Sequence, residues 1–438
     1  MKQKKIAVIG LGFVGLSLAA VLSNKGFNVI GIDNDKIKCE KILNKEIPFY
    51  EKNLSEYIIS GLKNNLSIEN NFSKCHECEI IFVCVGTPQK TNGSIDLSMI
   101  KQVSKEIGKS ISKNNKKPIV LIKSTVVPGT TQKIIKPIIK KKSRKIEGRD
   151  YEIISNPEFL QETTAIRDTT YPHIVVIGHE NSKFLRKVKS FLKEIHPKTP
   201  IIITNHQTSE IIKYANNSFL ATKISFINQL SNLCQKIPGS NIDDVSNAIG
   251  LDPRIGKLFL NAGPGYGGSC LPKDISAIIN LSNQLGVKPT LLNAVERINE
   301  FQIENILDII YEKIGSINNK KISILGLSFK PETDDIRDSI SIKIIDRLLK
   351  KNARIFVHDP LAIENTRKKF GNKISYSYLL KGIFDDSDCC LILTGWNDYS
   401  KIKNSEIMKM KNRLIIDSRR ILKSSNLKCD YIGLGIGT

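Results

Sequence analysis

The residues with the clearest chemical potential end a glycine-rich stretch between Gly263 and Asp274. It reads GPGYGGSCLPKD, so a run of glycines is followed by the thiol of Cys270 and then by Lys273 and Asp274. Glycines keep side chains away and let the backbone approach a ligand closely. A cysteine becomes a nucleophile when a base or a cation favours its thiolate, and Lys273 and Asp274 can supply either. A glycine loop around a buried structural cysteine fits the same residues.

A second candidate site lies near the N-terminus, where the apolar run 6–9 leads into GLGFVG at 10–15. A helical pattern and another apolar run follow, and that run ends in Asp33. This order is typical of dinucleotide-binding folds, in which the glycines let a pyrophosphate approach a helix N-terminus. Asp33 can accept hydrogen bonds from the adenosine ribose and repels a 2′-phosphate, which favours NAD over NADP. The loop residues predicted to bind this cofactor are Gly10, Gly12, Phe13, Val14 and Gly15.

Apolar runs alternate with helical stretches up to about residue 200 and again after residue 320. Polar residues such as Thr87 and Thr125 follow several of these runs, where an open parallel sheet binds its ligand. Ordinary turn chemistry explains the same residues. The pattern predicts an α/β fold with two Rossmann-like doubly wound domains joined by a helical middle domain. The predicted domains are 1–200, 201–300 and 301–438.

One long helix is predicted over 209–236, with shorter helices over 242–249, 274–285 and 291–313. The long helix suits a bridge between domains or an oligomer interface. Lys213 and Asn217 lie four residues apart on it and therefore share a face. A solvated lysine–asparagine pair is the simpler explanation of these two residues.

The chain is strongly basic, with 66 lysines and arginines against 43 acids in 438 residues. The lysines are spread along the chain and are not interleaved with aromatic residues, so a nucleic-acid partner is not favoured. A surface that attracts anionic small molecules is the preferred interpretation. Because no apolar run reaches the length of about 18–20 residues that a membrane span needs, no membrane partner is expected.

The chain has nine cysteines, an odd number, and no signal peptide is recognised, which favours thiols in a reducing cytoplasm. Cys75 and Cys78 have the CxxC spacing of a zinc or redox pair. No second pair follows at zinc-site spacing, so coincidence is preferred and no metal is expected.

In their order and spacing, the motifs resemble those of the UDP-glucose/GDP-mannose dehydrogenase family, the nucleotide-sugar 6-dehydrogenases, over nearly the whole chain. The matching segments are 10–15 with Asp33, 85–88, 123–125, 156–160 with Glu162, 210–217, 252–254, 265–274, 326–330 and 417–419. Such enzymes oxidise the C6 alcohol of a nucleotide-linked sugar to a carboxylate, using two NAD⁺ and one water. The resemblance implies an N-terminal NAD domain, a helical middle domain that forms a homodimer and a C-terminal nucleotide-sugar domain.

The chemistry implied by the resemblance centres on Cys270. An aldehyde carbon must become tetrahedral before a second hydride leaves, so Cys270 would form a thiohemiacetal and then a thioester that water hydrolyses. No histidine occurs in the motifs, so acid–base work falls to carboxylates and water, and the resemblance implies Asp274 and Glu162 as the carboxylates. Lys213 and Asn217 would hold the oxygen as it gains negative charge. The expected catalytic residues are Cys270, Asp274, Lys213, Asn217, Glu162 and Thr125.

The resemblance also implies two sets of binding residues. The cofactor set, beyond the loop at 10–15, is Asp33, Lys36, Thr87, Thr125, Glu162, Lys273, Arg337 and Arg419. The substrate set is Glu158, Phe159, Leu160, Lys213, Asn217, Arg254, Phe259, Gly263, Tyr266, Gly267, Cys270, Phe329 and Lys330. Arg254 resembles the arginine with which family members reach the substrate of the neighbouring subunit.

The chain departs from the family pattern around Glu162, where Gln161 and Thr163 stand in positions that commonly hold arginine and glycine. Gln161 in place of a cation can alter substrate choice. UDP-glucose, oxidised to UDP-glucuronate, is the expected substrate, while UDP-N-acetylglucosamine, UDP-N-acetylmannosamine and GDP-mannose stay open. A non-catalytic nucleotide- or nucleic-acid-binding protein and a one-step hydroxyacid dehydrogenase are the alternatives from other classes.

Overall fold

The computed structural model describes residues 4–180, 183–422 and 427–437. The chain forms two compact units, Met1–Asn216 (the first unit) and Asn217–Thr438 (the second unit). Among the described residues, no helix combines the length and apolar character needed to span a bilayer.

The first unit is built on an eight-stranded sheet with the order β3-β2-β1-β4-β5-β6-β7-β8. The strands are parallel except at β6 and β7, which pair in antiparallel fashion. They are β1 Lys5–Ile9, β2 Asn28–Ile32, β3 Leu66–Glu69, β4 Ile80–Val83, β5 Ile119–Ile122, β6 Glu152–Ser155, β7 Val175–Gly178 and β8 Ile201–Thr204. Because β8 pairs with β7, the first sheet extends past residue 200, where the sequence placed the end of the NAD domain.

Helices cover both faces of this sheet, and the strand residues alternate between two apolar cores. Ile6 and Val8 of β1 pack into one core, whereas Ala7 and Ile9 pack into the other. Burial on both faces is why these strands read as continuous apolar runs in the sequence. The helices of this unit are α1 Phe13–Asn24, α2 Lys36–Leu43, α3 Leu54–Asn64, α4 Ser98–Lys113, α5 Lys136–Ser143, α6 Ala165–Thr170 and α7 Leu185–Ile195.

The second unit contains a six-stranded parallel sheet with the order β11-β10-β9-β12-β13-β14. Its strands are β9 Lys321–Leu325, β10 Arg354–His358, β11 Ser375–Ser377, β12 Cys389–Ile392, β13 Leu414–Asp417 and β14 Asp430–Gly433. The helices are α9 Ile242–Gly250, α10 Leu271–Gln284, α11 Thr290–Ile314, α12 Ile340–Leu349, α13 Ile363–Phe370 and α14 Asn404–Ile407. The long helix α8 (His206–Cys234) contains the boundary between the two units.

The two sheets share the Rossmann order and much of its first turn. After β1, Gly10 has φ +90° and Leu11 donates its N–H to Asp33 Oδ2 at 2.8 Å. After β9, Gly326 has φ +93° and Leu327 donates to the Oδ2 of Asp359 at 2.7 Å. The predicted α/β fold, with two doubly wound sheets and helices between them, is confirmed. The three-domain boundaries stay a prediction.

Candidate active site

The loop at residues 10–15 has the backbone that a bound pyrophosphate needs. A Cβ on Gly10 would lie 2.8 Å from the Val85 nitrogen, and one on Gly15 would lie 1.8 Å from the Gly10 oxygen. A Cβ on Gly12, by contrast, would have no described atom within 4 Å. The backbone before α1 is therefore open where phosphate oxygens would approach the helix N-terminus. These residues fit a dinucleotide.

Asp33 lies at the end of β2, as predicted, and is buried with 7% of its surface exposed. Its Oδ2 accepts the Leu11 N–H and also pairs with Lys38 Nζ at 3.0 Å, so the acid supports the turn that would hold the cofactor. Lys36, which was predicted to bind the cofactor, is exposed as the first residue of α2, and its contact with the cofactor stays a prediction. Lys38 was not among the predicted residues, although an aspartate before a helical pattern, here the N-cap residue Asp35, is a signal in the sequence.

The loop aromatic Phe13 packs on Phe49 with 3.9 Å between ring centroids, and Val14 packs against the core. Further along the sheet, the structure brings two predicted cofactor residues together at the ends of β4 and β5. Thr87 Oγ1 donates to the Thr125 carbonyl at 2.7 Å, so both threonines lie at the edge where a doubly wound sheet binds its ligand.

Lys213 is almost completely buried and forms an ion pair with Glu158, 2.9 Å from Nζ to Oε1. The second carboxylate oxygen of Glu158 accepts the Leu160 N–H at 2.7 Å. The Lys213 ammonium also lies 5.4 Å from the ring centroid of Phe159. A buried ammonium held this way is fixed in position and can stabilise developing negative charge. The structure thus groups four predicted substrate residues within the first unit.

Glu210, one helical turn before Lys213, was not among the predicted site residues although it lies in a matching motif. Its carboxylate accepts the N–H groups of Gly129 and Thr131 at 2.5 and 2.9 Å, and burial raises its pKa. It ties α8 to the loop after β5. Glu210 and Lys213 line a small pocket together with Ile122, Ser124, Thr125, Val126, Thr131, Ser155 and Pro157.

In the second unit, Cys270 is exposed and stands immediately before α10. The partial positive charge at a helix N-terminus stabilises a thiolate, so this location suits a nucleophile. Burial raises the pKa of Cys84 to about 12 and of Cys429 to about 11, which makes those thiols unreactive. The alternative of a buried structural cysteine at position 270 is therefore wrong.

The predicted CxxC pair does not resemble a reactive site. Cys75 and Cys78 are both buried in a core of the first unit, and burial raises the pKa of each thiol to about 12. Among the residues the structure describes, no three histidine, cysteine, aspartate or glutamate side chains are grouped to hold a metal ion.

Asp274 lies one turn into α10 and is 1% exposed. Its Oδ2 accepts a hydrogen bond from Asn217 Nδ2 at 2.6 Å, and its Oδ1 pairs with Lys273. The predicted residues Asn217, Lys273 and Asp274 therefore form one network. The Asp274 N–H donates to the Cys270 carbonyl at 2.9 Å, so the two residues are joined through the first turn of α10.

The glycine loop (residues 263–269) is held by Asn299 of α11. Its side chain accepts the Tyr266 N–H at 2.7 Å and donates to the Tyr266 carbonyl at 3.0 Å. A Cβ on Gly265 would lie 2.6 Å from Asn299 Oδ1, and one on Gly267 would lie 2.4 Å from the Asp338 oxygen. The glycines are thus required for close backbone contacts inside the second unit.

Several predicted residues of the second unit surround this loop. A Cβ on Gly268 would lie 2.8 Å from the Phe329 ring, and one on Gly263 would lie 2.9 Å from the Arg419 guanidinium. Lys330 places its ammonium 5.7 Å from the Phe329 ring centroid, and the Arg337 carbonyl accepts the Gly268 N–H at 2.9 Å.

Burial lowers the pKa of Arg419 to about 10, which leaves the side chain charged at neutral pH. The guanidinium of Arg337 is bound to Asp335, with 2.6 Å from Nη2 to Oδ2. Arg254 is exposed and pairs with Asp252 at 2.6 Å. Phe259 is half-buried with a left-handed backbone, φ +65°. Cofactor contact by Lys273, Arg337 and Arg419 stays a prediction.

The strand order, the glycine turn and the buried Asp33 define a dinucleotide-binding protein of the Rossmann class. Three domain models of the UDP-glucose/GDP-mannose dehydrogenase family match the chain: the NAD binding domain at 4–196, the central domain at 207–301 and the UDP binding domain at 323–424. The chain belongs to this family.

Similar proteins cover almost the whole chain. A UDP-glucose 6-dehydrogenase of Rickettsia conorii is 40% identical over 97% of this chain and 96% of its own length. The UDP-glucose 6-dehydrogenase TuaD of Bacillus subtilis is 37% identical over 99% of this chain and 93% of its own. A solved UDP-glucose dehydrogenase from Pyrobaculum islandicum is 31% identical, with a TM-score of 0.91 and coverage of 99% and 98%. The predicted family is confirmed, and the family's NAD binding domain supports NAD as the cofactor.

Proposed function

We propose that the chain oxidises UDP-glucose to UDP-glucuronate, in a reaction that consumes two NAD⁺ and one water and releases two NADH and three protons. The single observation that carries this proposal is the exposed thiol of Cys270 beside a glycine loop and a buried carboxylate. The names of the relatives from Rickettsia conorii and Bacillus subtilis support UDP-glucose as the substrate.

When bound, NAD⁺ supplies the hydride acceptor for both oxidations. Loss of a hydride from C6 and of a proton from its hydroxyl group first gives the aldehyde. The Cys270 thiolate then adds to the aldehyde carbon: a C–S bond forms, the C–O π bond breaks, and the oxygen takes the negative charge of the thiohemiacetal. Loss of a hydride from C6 then gives a thioester, which water cleaves to the carboxylate and regenerates the thiol. Asp274 and Glu162 hold and move protons in these steps, and Lys213 and Asn217 stabilise the charged oxygen.

We assign Lys213 and Asn217, both on α8, to the reacting oxygen. Lys213 belongs to the buried group of the first unit and Asn217 to that of the second, and they lie four residues apart on α8. We propose that the glycine loop and Phe329 hold the sugar nucleotide, and that Lys330 and Arg419 bind its diphosphate.

We also propose a homodimer with a long-helix interface. Phe219, Phe226 and Leu233 of α8 are exposed by 66%, 50% and 56%, and they recur every seven residues along one helix face. Such a stripe of large apolar side chains is typical of a helix-pairing surface. The exposed Arg254 would reach the substrate of the second copy. A location in the cytoplasm stays a prediction.

The substrate is tested by initial rates of NADH formation with UDP-glucose, UDP-N-acetylglucosamine, UDP-N-acetylmannosamine and GDP-mannose at equal concentrations. We expect the highest kcat/KM with UDP-glucose. A preference for any of the other three sugars would overturn the substrate but keep the dehydrogenase. NADH formation with none of the four would overturn the proposed function.

A further inference from the structure

We propose that Glu51 is a positioning residue that holds the segment carrying Glu162 in its working conformation. The inference rests on the proposed acid–base role of Glu162. Glu51 lies more than a hundred residues away in the sequence, just before α3. Its carboxylate nevertheless contacts the backbone on the C-terminal side of Glu162.

The contact is a two-point clamp. Glu51 is buried, with 6% of its surface exposed. Its Oε2 accepts the Thr163 N–H at 2.7 Å, and its Oε1 accepts the Ala165 N–H at 2.9 Å. Hydrogen bonds from backbone N–H groups to a buried carboxylate are stronger than neutral ones and strongly directional. They fix the backbone directly after Glu162.

The backbone held by this clamp is strained. Thr163 has φ +75°, in the left-handed region that a β-branched residue rarely adopts. Such a conformation persists only where surrounding contacts enforce it. Without Glu51, Thr163 would relax towards a negative φ, and the side chain of the preceding residue, Glu162, would turn with it. A glycine at this position would need no such support.

A second carboxylate holds the other side. Asp168 Oδ2 accepts the Gln161 N–H at 3.0 Å and the Thr164 hydroxyl at 2.7 Å. The backbone is therefore anchored at the residue before Glu162 and at the residue after it, and Glu162 itself is 9% exposed. A general acid or base needs this kind of fixed placement, because small displacements of a reacting group lower the rate strongly. The clamp is thus a means of positioning the Glu162 carboxylate.

The test compares Glu51→Gln with the double variant Glu51→Gln/Thr163→Gly. Glutamine keeps the shape of Glu51 but turns an NH₂ group towards a backbone N–H. We expect Glu51→Gln to lower kcat with UDP-glucose by about tenfold or more, with KM changed by less than about threefold. Thr163→Gly should restore most of kcat in that background, because glycine adopts the positive φ without strain.

Controls separate positioning from folding and from the role of Glu162. Glu56→Gln, which changes an exposed carboxylate in the first turn of α3, should leave kcat unchanged. If Glu51→Gln does not fold, Thr163→Gly alone should raise the melting temperature and leave kcat unchanged. An unchanged melting temperature would then contradict the inferred backbone strain at Thr163. Wild-type kcat in Glu51→Gln, or a double variant as slow as Glu51→Gln, would overturn the clamp.

Glu162→Gln tests the premise that Glu162 is an acid–base group: if this variant keeps wild-type kcat, the role of Glu162 and the clamp both fail. If it is slow while Glu51→Gln is not, the clamp alone fails.

Discussion

Replacing Gly268 with alanine tests whether the glycine loop sets the position of Phe329. Gly268 has φ +83°, and a Cβ there would lie 2.8, 2.9 and 3.0 Å from three atoms of the Phe329 ring. The left-handed backbone costs an alanine about 1–2 kcal/mol, and overpacking adds typically about 1–3 kcal/mol. The ring must therefore move or the loop must shift.

The expected result of Gly268→Ala is a weaker hold on UDP-glucose. If about 1.4 kcal/mol of the free-energy cost of this steric contact is lost from substrate binding, KM rises by about tenfold. The assay is the initial rate of NADH formation as a function of UDP-glucose concentration, with urea unfolding of the same preparation.

Gly286→Ala is the matched control for this experiment. Gly286 has a similar φ, +73°, but a Cβ there would have no described atom within 4 Å. We expect Gly286→Ala to lower the free energy of unfolding by the same backbone cost, about 1–2 kcal/mol, and to leave KM unchanged. An unchanged KM in Gly268→Ala would refute the reasoning, and so would an equal rise of KM in Gly286→Ala.

Three further predictions concern the cofactor, the thiol and the pH dependence of stability. Asp33→Asn should raise KM for NAD⁺ by about tenfold or more and allow the enzyme to use NADP⁺, because a charged hydrogen-bond acceptor is lost while Lys38 remains. An unchanged KM in NAD⁺ titrations would contradict this. A thiol reagent near neutral pH should modify Cys270 first, and UDP-glucose should protect it; peptide mass mapping that finds another cysteine modified first would contradict this. Burial, with Glu147 nearby, raises the pKa of Glu152 from 4.5 to about 7, so the carboxyl stabilises the fold below pH 4.5 and that contribution is lost as pH rises through 7. Glu152→Gln stays uncharged and should therefore gain roughly 1–3 kcal/mol in the free energy of unfolding, relative to the parent, between about pH 5 and about pH 8; urea unfolding that gives the same difference at both pH values would contradict it.

The first Rossmann turn could be predicted because its signals are local. Gly10, Gly12 and Asp33 lie within one strand–helix–strand unit, and their types follow from the turn and the ligand. The helical pattern in the sequence was taken to start at Leu16, after the glycine motif, whereas α1 begins inside the motif at Phe13. The antiparallel pairing of β6 and β7 was not predicted, because an apolar run in the sequence carries no signal for the direction of its strand.

Residues of the candidate site could be predicted only where they belong to a sequence motif. Asp274 and Asn217 were both named, and they form a hydrogen bond. Glu51 was not singled out, because its contacts with Thr163 and Ala165 span more than a hundred residues. Spacing along the sequence carries no signal for such a pair. Thr163 itself was noticed as a departure from the family pattern, and the structure shows that it has a positive φ, which glycine adopts without strain.

The proposed role of Cys270 in a four-electron oxidation is tested most directly by the number of NADH molecules formed per UDP-glucose consumed, measured to completion with limiting sugar. We expect two NADH per sugar with the parent chain, and no sustained turnover in Cys270→Ser. One NADH per sugar with the parent chain, or two with undiminished turnover in Cys270→Ser, would contradict it.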